Sequence, residues 1–599
     1  MLLGARAATA QARWSRQAGG PGPDEAARIA LDADGNAYVV GNFAGEAKFG
    51  SVALGSPGKA SAFLVKYDAQ GTALWGQQAS GAVGFADVVV DADGNAYALG
   101  TFSGSTSLGG QALVSQGSTD LLLVKYDAQG QALWSRQGGS WPGSSLTGAG
   151  VALDARGNPY VVGTLSGTAG SGSGTLTSEA VKNIYVAAYS AQGRLLWAEQ
   201  GGGKSSESRG AALGLDAAGN VYLTGSFSGT AAFGASVVTS AANQGSILLA
   251  KCDAAGAFGW AVVEGGPGTV TVADIAVDGQ GNSVLTGSIG GDQAPNAFGP
   301  VAFAAVSGQD GFVVKHNAAG AVPWANQVAG ADTDYGTSVA LDNQGNVYTT
   351  GVFASAPTQW GTTRLAHVGG KNAYIVKYDP QGRVLAAQRE GACGGTISRG
   401  IAVNARQEIY IAGSFYDFAS FVATVFKSQA SSSDVFVAKV GDLTTPSTPD
   451  GFSCSSLAPP APAPPPTPVP VPPPTPTPTP TPPTPTPPST PAPPAPPPPT
   501  PAPSPTPAPL PAPPPAAPEV FIPNVLTPNG DGLNDKFQMR GLTDNFWSLA
   551  VYNRWGKELY RAAAYQQDWD AAGLPAGTYY YVLRHASGRD YKGWIEVVR

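Results

Sequence analysis

Gly35-Asn36-Ala37-Tyr38-Val39 follows the turn signature Asp32-Ala33-Asp34 and leads into Val40-Gly41, and versions of this stretch recur along the chain. Aligned on the glycine that closes it, the copies fall at Gly41, Gly100, Gly163, Gly225, Gly287, Gly351 and Gly413, 59 to 64 residues apart. A fixed period of that size means stacked supersecondary units, so residues 12–441 read as one repeat array. Each copy carries a second turn signature, as in Asp68-Ala69-Gln70-Gly71. Asp at the first position and Gly at the fourth suit a tight hairpin turn whose glycine takes positive φ. Around the turns lie short β-prone runs, Arg28–Leu31, Tyr38–Phe43, Phe63–Tyr67 and Ala73–Gln77 in the first copy, giving four strands per repeat. Four-stranded antiparallel units repeated around an axis make a β-propeller, an all-β fold.

The ends of the array predict how it closes. The fourth strand of most copies carries a tryptophan (Trp75, Trp134, Trp197, Trp260, Trp324), but the seventh copy stops after Phe436-Val437-Ala438-Lys439 without any fourth strand. The missing element stands alone at the N-terminus, where Ala12-Arg13-Trp14-Ser15-Arg16-Gln17 parallels Ala132-Leu133-Trp134-Ser135-Arg136-Gln137. The expectation is seven blades, the last completed by the N-terminal strand, which removes an exposed sheet edge.

The 599 residues include 80 Gly, 52 Pro and 3 Cys, 13% are charged, and the net charge is −7. This is a turn-rich, multidomain composition, and an acidic balance without basic clusters argues against nucleic acid. No stretch approaches the ~20 apolar residues of a membrane helix. Residues 1–11 hold Arg6 and lead into the small-residue run Ala8–Ala12 without the apolar core of a signal peptide. They read as a signal-peptide remnant, with a start codon placed too far downstream. Residues 442–518 form a linker, almost pure Pro, Thr and Ala from about Pro459. That composition favours a semi-rigid polyproline II spacer, reaching on the order of 190 Å at ~3.1 Å per residue.

Residues 519–599 read as a separate small domain of short strands, of the size of an immunoglobulin-like sandwich. Cys252 takes a third-strand position held elsewhere by Tyr67 and Tyr126, and is read as a core residue. An oxidising compartment would permit a disulfide between Cys393 and Cys454.

Two resemblances follow from these stretches. Ile29–Gly41 and Val339–Gly351 resemble the SBBP type of bacterial seven-bladed β-propeller repeat, a likeness covering about two thirds of the chain. The seventh copy departs from it, because Asn404-Ala405-Arg406-Gln407-Glu408 lacks both Asp and Gly. Phe521–Asp535, with Pro528, Asn529, Gly530, Asp531, Gly532, Asn534 and Asp535, resembles the gliding-motility-associated C-terminal domain, the type B sorting domain of type IX secretion. So do Asn553-Arg554-Trp555-Gly556 and Gly577-Thr578-Tyr579. The resemblance implies contact with the type IX secretion machinery and delivery to the outer-membrane surface of a Gram-negative bacterium or to the medium.

No catalytic constellation is recognisable: the three histidines are scattered, and HExxH, GxSxG and P-loop patterns are absent. The expectation is a non-enzymatic binding protein acting in adhesion or in glycan or protein recognition. The alternatives are a secreted propeller lyase or glycoside hydrolase and a structural spacer. The repeated Asp32, Asp91, Asp154, Asp216, Asp278 and Asp342 occupy turn positions that favour Asp for local hydrogen bonding. No cofactor is called for; the calcium candidates are Asn529, Asp531, Asn534 and Asp535, a dense oxygen cluster. Ligand contacts are expected on the long, copy-specific connections, Gly138–Thr147, Thr168–Lys182, Gln293–Asp310, Val328–Gly336 and Pro357–Lys371. Trp141, Asp334, Tyr335, Trp360 and Arg399 lie in or beside them. First strands should line the central channel, where the fourth residue before each turn brings in Arg28, Asp87, Asp274 and Ser338. Those groups read either as hydrated channel lining or as a site for an ion or small ligand.

Overall fold

The computed structural model describes residues 13–443 and 522–598, apart from short stretches that include 171–174, 291–295, 355–357, 392–393, 529–534, 540–546 and 554–556. Cys393, Cys454 and the Pro-rich linker lie outside the described residues. The chain separates into two compact bodies, Met1–Pro470 and Val471–Arg599.

The first body is all-β. Its first repeat runs through strands Glu25–Leu31, Ala37–Phe49, Val52–Tyr67 and Ala73–Val90, each antiparallel to the next. The last of these is long enough to serve as fourth strand of repeat 1 and first strand of repeat 2. Six further repeats follow the same order, and the seventh takes Trp14–Ala18 as its fourth strand, paired antiparallel with Asp434–Lys439 from Trp14↔Lys439 to Ala18↔Val435.

The turn chemistry explains the hairpins. Asp32 Oδ1 accepts from the amides of Asp34 and Asn36 (3.1 and 2.9 Å), Oδ2 accepts from Asn36 Nδ2 (2.7 Å), and Gly35 takes φ 83°. The deviant seventh turn keeps this geometry. Asn404 Oδ1 accepts from the Arg406 and Glu408 amides (both 3.0 Å), and Gln407 adopts the φ of 60° that glycine holds elsewhere.

The tryptophans join neighbouring repeats. Trp75 Nε1 donates to the carbonyl of Ala128 in the second turn of repeat 2 (3.0 Å), and Trp134 and Trp197 do the same to Ala191 and Ala254 (3.1 and 2.9 Å). The Trp75 and Trp197 indoles also meet the glycine of that turn, since a Cβ on Gly130 would lie 2.7 Å from the Trp75 ring and one on Gly256 2.9 Å from the Trp197 ring, whereas at Gly193 the Arg136 guanidinium takes that place. Trp14 makes the equivalent contact with repeat 1, donating to the Ala69 carbonyl at 2.9 Å. The N-terminal strand is thus fixed on both sides, to repeat 7 by its ladder and to repeat 1 by its indole.

The connections between second and third strands are more regular than the sequence suggests. In all seven repeats they contain a short hairpin, such as Thr168–Gly170 with Thr175–Thr177 and Thr358–Trp360 with Thr363–Leu365. An apolar residue from the hairpin folds back onto the third strand: Phe49 against Phe63, Phe298 against Phe312, Trp360 against Tyr374 and Phe421 against Phe436, with ring centroids 4.7, 4.8, 5.2 and 4.2 Å apart.

In the second body the described strands form one sheet. Trp547–Tyr552 lies between Glu558–Ala562 and Gly577–His585, which pairs on with Asp590–Val597 and then with the parallel Val525–Leu526. Phe537, Met539, Tyr565 and Trp569, from segments outside the strands, cover one face and join Leu549, Leu583 and Ile595 in its core.

Beside the N-terminal strand lies a buried carboxyl pair. Asp24 Oδ2 accepts from the Gly20 amide (2.6 Å), and the Asp24 amide donates to the Ser433 carbonyl (2.9 Å), next to Asp434. Burial, reinforced by the Asp434 charge, pushes the Asp24 carboxyl up to about 7. A carboxyl raised in the folded state holds its proton more tightly there than in the unfolded chain. Its contribution is therefore present at low pH and lost as pH climbs from about 4 towards 7. We expect Asp24→Asn to raise the melting temperature at pH 8 by a few degrees and to flatten its decline between pH 5 and 8, measured by calorimetry. An unchanged pH slope would disprove the assignment.

Candidate functional site

A backbone irregularity common to all repeats builds the site. Every first strand carries a β-bulge at the same place, with register shifts at Ala26/Arg28, Phe85/Asp87, Gly148/Gly150, Gly210/Ala212, Val272/Asp274, Gly336/Ser338 and Ser398/Gly400. The glycine used to align the copies sits opposite. A Cβ on Gly41 would lie 2.1 Å from the Glu25 carbonyl, and one on Gly351 would lie 2.0 Å from the Tyr335 carbonyl. The bulge brings the strands too close for any side chain there.

Bulged carbonyls are left free of the ladder, and Arg28 collects three of them. Its Nη1 donates to the carbonyls of Thr337 (3.2 Å) and Arg399 (2.8 Å), and its Nη2 to that of Ala273 (3.1 Å). Asp274 lies 3.5 Å from Nη2 and Asp87 lies 3.9 Å from Nε. One side chain from repeat 1 therefore engages repeats 2, 5, 6 and 7. The carboxylates are held in turn. Asp274 Oδ2 accepts from Ser338 Oγ (2.7 Å) and the Val339 amide (3.0 Å), and Asp87 Oδ2 accepts from the Val151 amide (2.8 Å). Burial pushes the Asp87 carboxyl up to about 6, against the pull of Arg28. The channel-lining set Arg28, Asp87, Asp274 and Ser338 is thus brought into one cluster.

Above this cluster opens a pocket of about 520 Å³, lined by residues that include Glu25, Asn42, Ser288, Gln309, Tyr335 and Arg399. Its walls come from repeats 1, 2, 5, 6 and 7. Of the loop candidates, Tyr335 and Arg399 reach this pocket. Asp334 adjoins it in sequence but is buried, with Oδ1 accepting from the Ala354 amide (2.9 Å). Trp141 is 55% exposed and lies outside the lining. Trp360 is 2% exposed and packed between Phe353 and Tyr374, so it belongs to the core and offers no face to a ligand. Cys252 is also a core residue, and burial pushes its thiol up to about 12.

In the second body, Asn553, Gly577, Thr578 and Tyr579 line a recess of about 350 Å³ together with Leu559 and Leu574. Tyr579 Oη donates to the Pro575 carbonyl (2.8 Å), and Asn553 Oδ1 accepts from the Lys557 amide (3.0 Å). Pro528 and Asp535 are described as half-buried; Asn529, Gly530, Asp531, Gly532, Asn534, Arg554, Trp555 and Gly556 lie outside the described residues. Among the described residues, no group of three or more His, Cys, Asp or Glu is placed to hold a metal ion.

Comparison with known proteins agrees with this partition. Residues 520–597 match the CHU_C Type IX secretion signal domain, and residues 13–42 and 324–352 match the SBBP β-propeller repeat. The second repeat match starts at a latch tryptophan, Trp324, and the first one residue ahead of another, Trp14. An uncharacterized WD repeat-containing protein of Acanthamoeba polyphaga mimivirus is 27% identical over 144 residues, 20% of this chain and 10% of that protein. The chain thus spans about a tenth of the length of that curated relative. Among solved structures, a protein of unknown function from Bacteroides caccae is 10% identical over 55% of this chain and 89% of its own, with a TM-score of 0.29. The phage phi92 endosialidase is 9% identical over 74% and 71%, with a TM-score of 0.32. The chain carries SBBP β-propeller repeats and a C-terminal type IX secretion signal domain, which directs it to the cell surface or extracellular space of a Gram-negative bacterium of the Bacteroidetes.

Proposed function

We propose that this secreted protein is a seven-bladed β-propeller, closed by its N-terminal strand, that binds a surface glycan or protein at the axial mouth and performs no catalysis. The reading rests on one observation above all. Tyr335 and Arg399, from different repeats, converge on a pocket floored by a fully engaged Arg28. Pockets with a few convergent polar groups on a rigid frame are the usual form of a binding site. Against hydrolysis, the two carboxylates nearest the axis, Asp87 and Asp274, are committed to Arg28 and to backbone amides. The ring reading is supported by the contacts of first strands with one another in sequence order, and by contact of Glu25–Leu31 with Thr396–Val403. For residues 519–599 we retain the immunoglobulin-like reading, consistent with a sheet that buries one face under aromatic side chains.

A glycan-array screen of the full chain, with and without calcium, tests the binding role. Saturable binding that Tyr335→Ala weakens about tenfold or more, and that Trp141→Ala leaves unchanged, is expected. A blank array, or equal loss in both variants, would remove the axial mouth as the site. Deleting Val520–Arg599 should leave the repeat array folded and retained in the periplasm, read by fractionation and surface labelling; normal display would overturn the sorting role. Deleting Met1–Gln17 should expose the edge Asp434–Lys439 and yield dimers or aggregates by light scattering. A monomer with an unchanged melting point would refute closure.

A further inference from the structure

We propose that the axial pocket takes the anionic group of an acidic saccharide, held by the Arg399 guanidinium with the Tyr335 ring packed against the sugar, an inference that rests on the binding role above. The argument starts from a break in the repeat. The extra residue of the bulge is small in six copies, Ala27, Ala86, Ala149, Ala211, Ala273 and Thr337, and is arginine only in the seventh, Arg399. Nothing in the bulge requires that side chain, because the structural role belongs to its carbonyl, which Arg28 holds at 2.8 Å. Two residues earlier in each copy stand Glu25, Gly84, Thr147, Arg209, Thr271, Tyr335 and Ile397, so Tyr335 is the one aromatic of its set. A departure from the repeat, Arg399, and the one aromatic residue at a variable position, Tyr335, therefore meet in one pocket.

The charges there are unequal in their commitments. Arg28 has its donors turned to three carbonyls and its charge faced by Asp87 and Asp274. Arg399 lines the pocket and, among the described residues, enters no ion pair or side-chain hydrogen bond. Glu25, on another wall, accepts from Tyr416 Oη at 3.5 Å. A planar guanidinium free in a half-enclosed pocket is matched by a carboxylate or sulfate, which it engages through two parallel hydrogen bonds. Other polar lining groups include Asn42 and the pair Gln309 and Ser288, in which Gln309 Nε2 donates to Ser288 Oγ at 2.8 Å; these neutral amides and hydroxyls are the kind of partner that sugar hydroxyls need. Tyr335, half-buried and with the Lys371 ammonium 5.9 Å from its ring centroid, supplies an aromatic surface against which a pyranose ring can pack beside a second cation. Acidic polysaccharides of cell walls and extracellular matrices present this combination of ring, hydroxyls and anionic group.

The test uses the full chain and three probes: trigalacturonate, its methyl ester, and a sulfated chondroitin disaccharide, titrated by calorimetry. We expect at least one acidic probe to bind roughly tenfold or more tightly than the ester, the carboxylate and sulfate arms identifying which anion is preferred. Arg399→Ala should remove that advantage and leave the melting temperature unchanged, since it installs the residue five other bulges already carry. Arg399→Lys should recover part of the affinity. Equal binding of acid and ester, or indifference to Arg399→Ala, overturns the acidic class; the axial site itself then survives only if Tyr335→Ala still abolishes binding. Failure of both acidic probes to bind also overturns the proposal.

Discussion

One extra residue in the first strand of every repeat governs the centre of this molecule. The bulge draws the first two strands together until only glycine fits opposite, which accounts for Gly41 and its six counterparts. It also turns a carbonyl out of each affected ladder. Unsatisfied carbonyls in a partly buried place need donors. Arg28 satisfies three at once, and two carboxylates balance its charge. The floor of the pocket and the position of Arg399 both follow from that arrangement.

Second in importance is the tryptophan latch. An indole has a broad apolar face and a single donor, so it packs against a turn glycine and satisfies a turn carbonyl with one side chain. The same indole-to-turn hydrogen bond recurs at Trp75, Trp134, Trp197 and Trp324, while the sixth repeat carries Ala386 at that position. Trp14 extends the series to the junction between the chain's beginning and its end.

Much of this architecture was legible because turns and latches have sequence signatures. Asp and Gly at fixed offsets predicted the hairpins, and the orphan Trp14 strand predicted its partner. The bulges were hidden, since inserting a residue into a β-rich run changes no composition. Their trace was the invariant glycine outside any turn, which served only as an alignment marker. Trp360 was misplaced because its segment looked like a variable connection. Its true company shows in spacing: Phe49, Phe298 and Trp360 each precede a third-strand aromatic by 14 residues, and Phe421 does so by 15. Period-two alternation placed Arg28, Asp87, Asp274 and Ser338 on one face, and the ion pairs and hydrogen bonds that join them were not legible, because alternation gives a side chain's face and not its partners.

The N-terminal strand also sets the order of events in time. Trp14–Ala18 is made well before its partners, yet Ser15 Oγ donates to a carbonyl 406 residues away. Its ladder partner, Asp434–Lys439, is among the last of the array to emerge. Contacts so distant along the chain carry a high loop-closure cost and slow folding. Until synthesis has passed residue 439 the strand that completes the seventh repeat lacks its ladder partner, so that repeat is finished only after the whole array has been made.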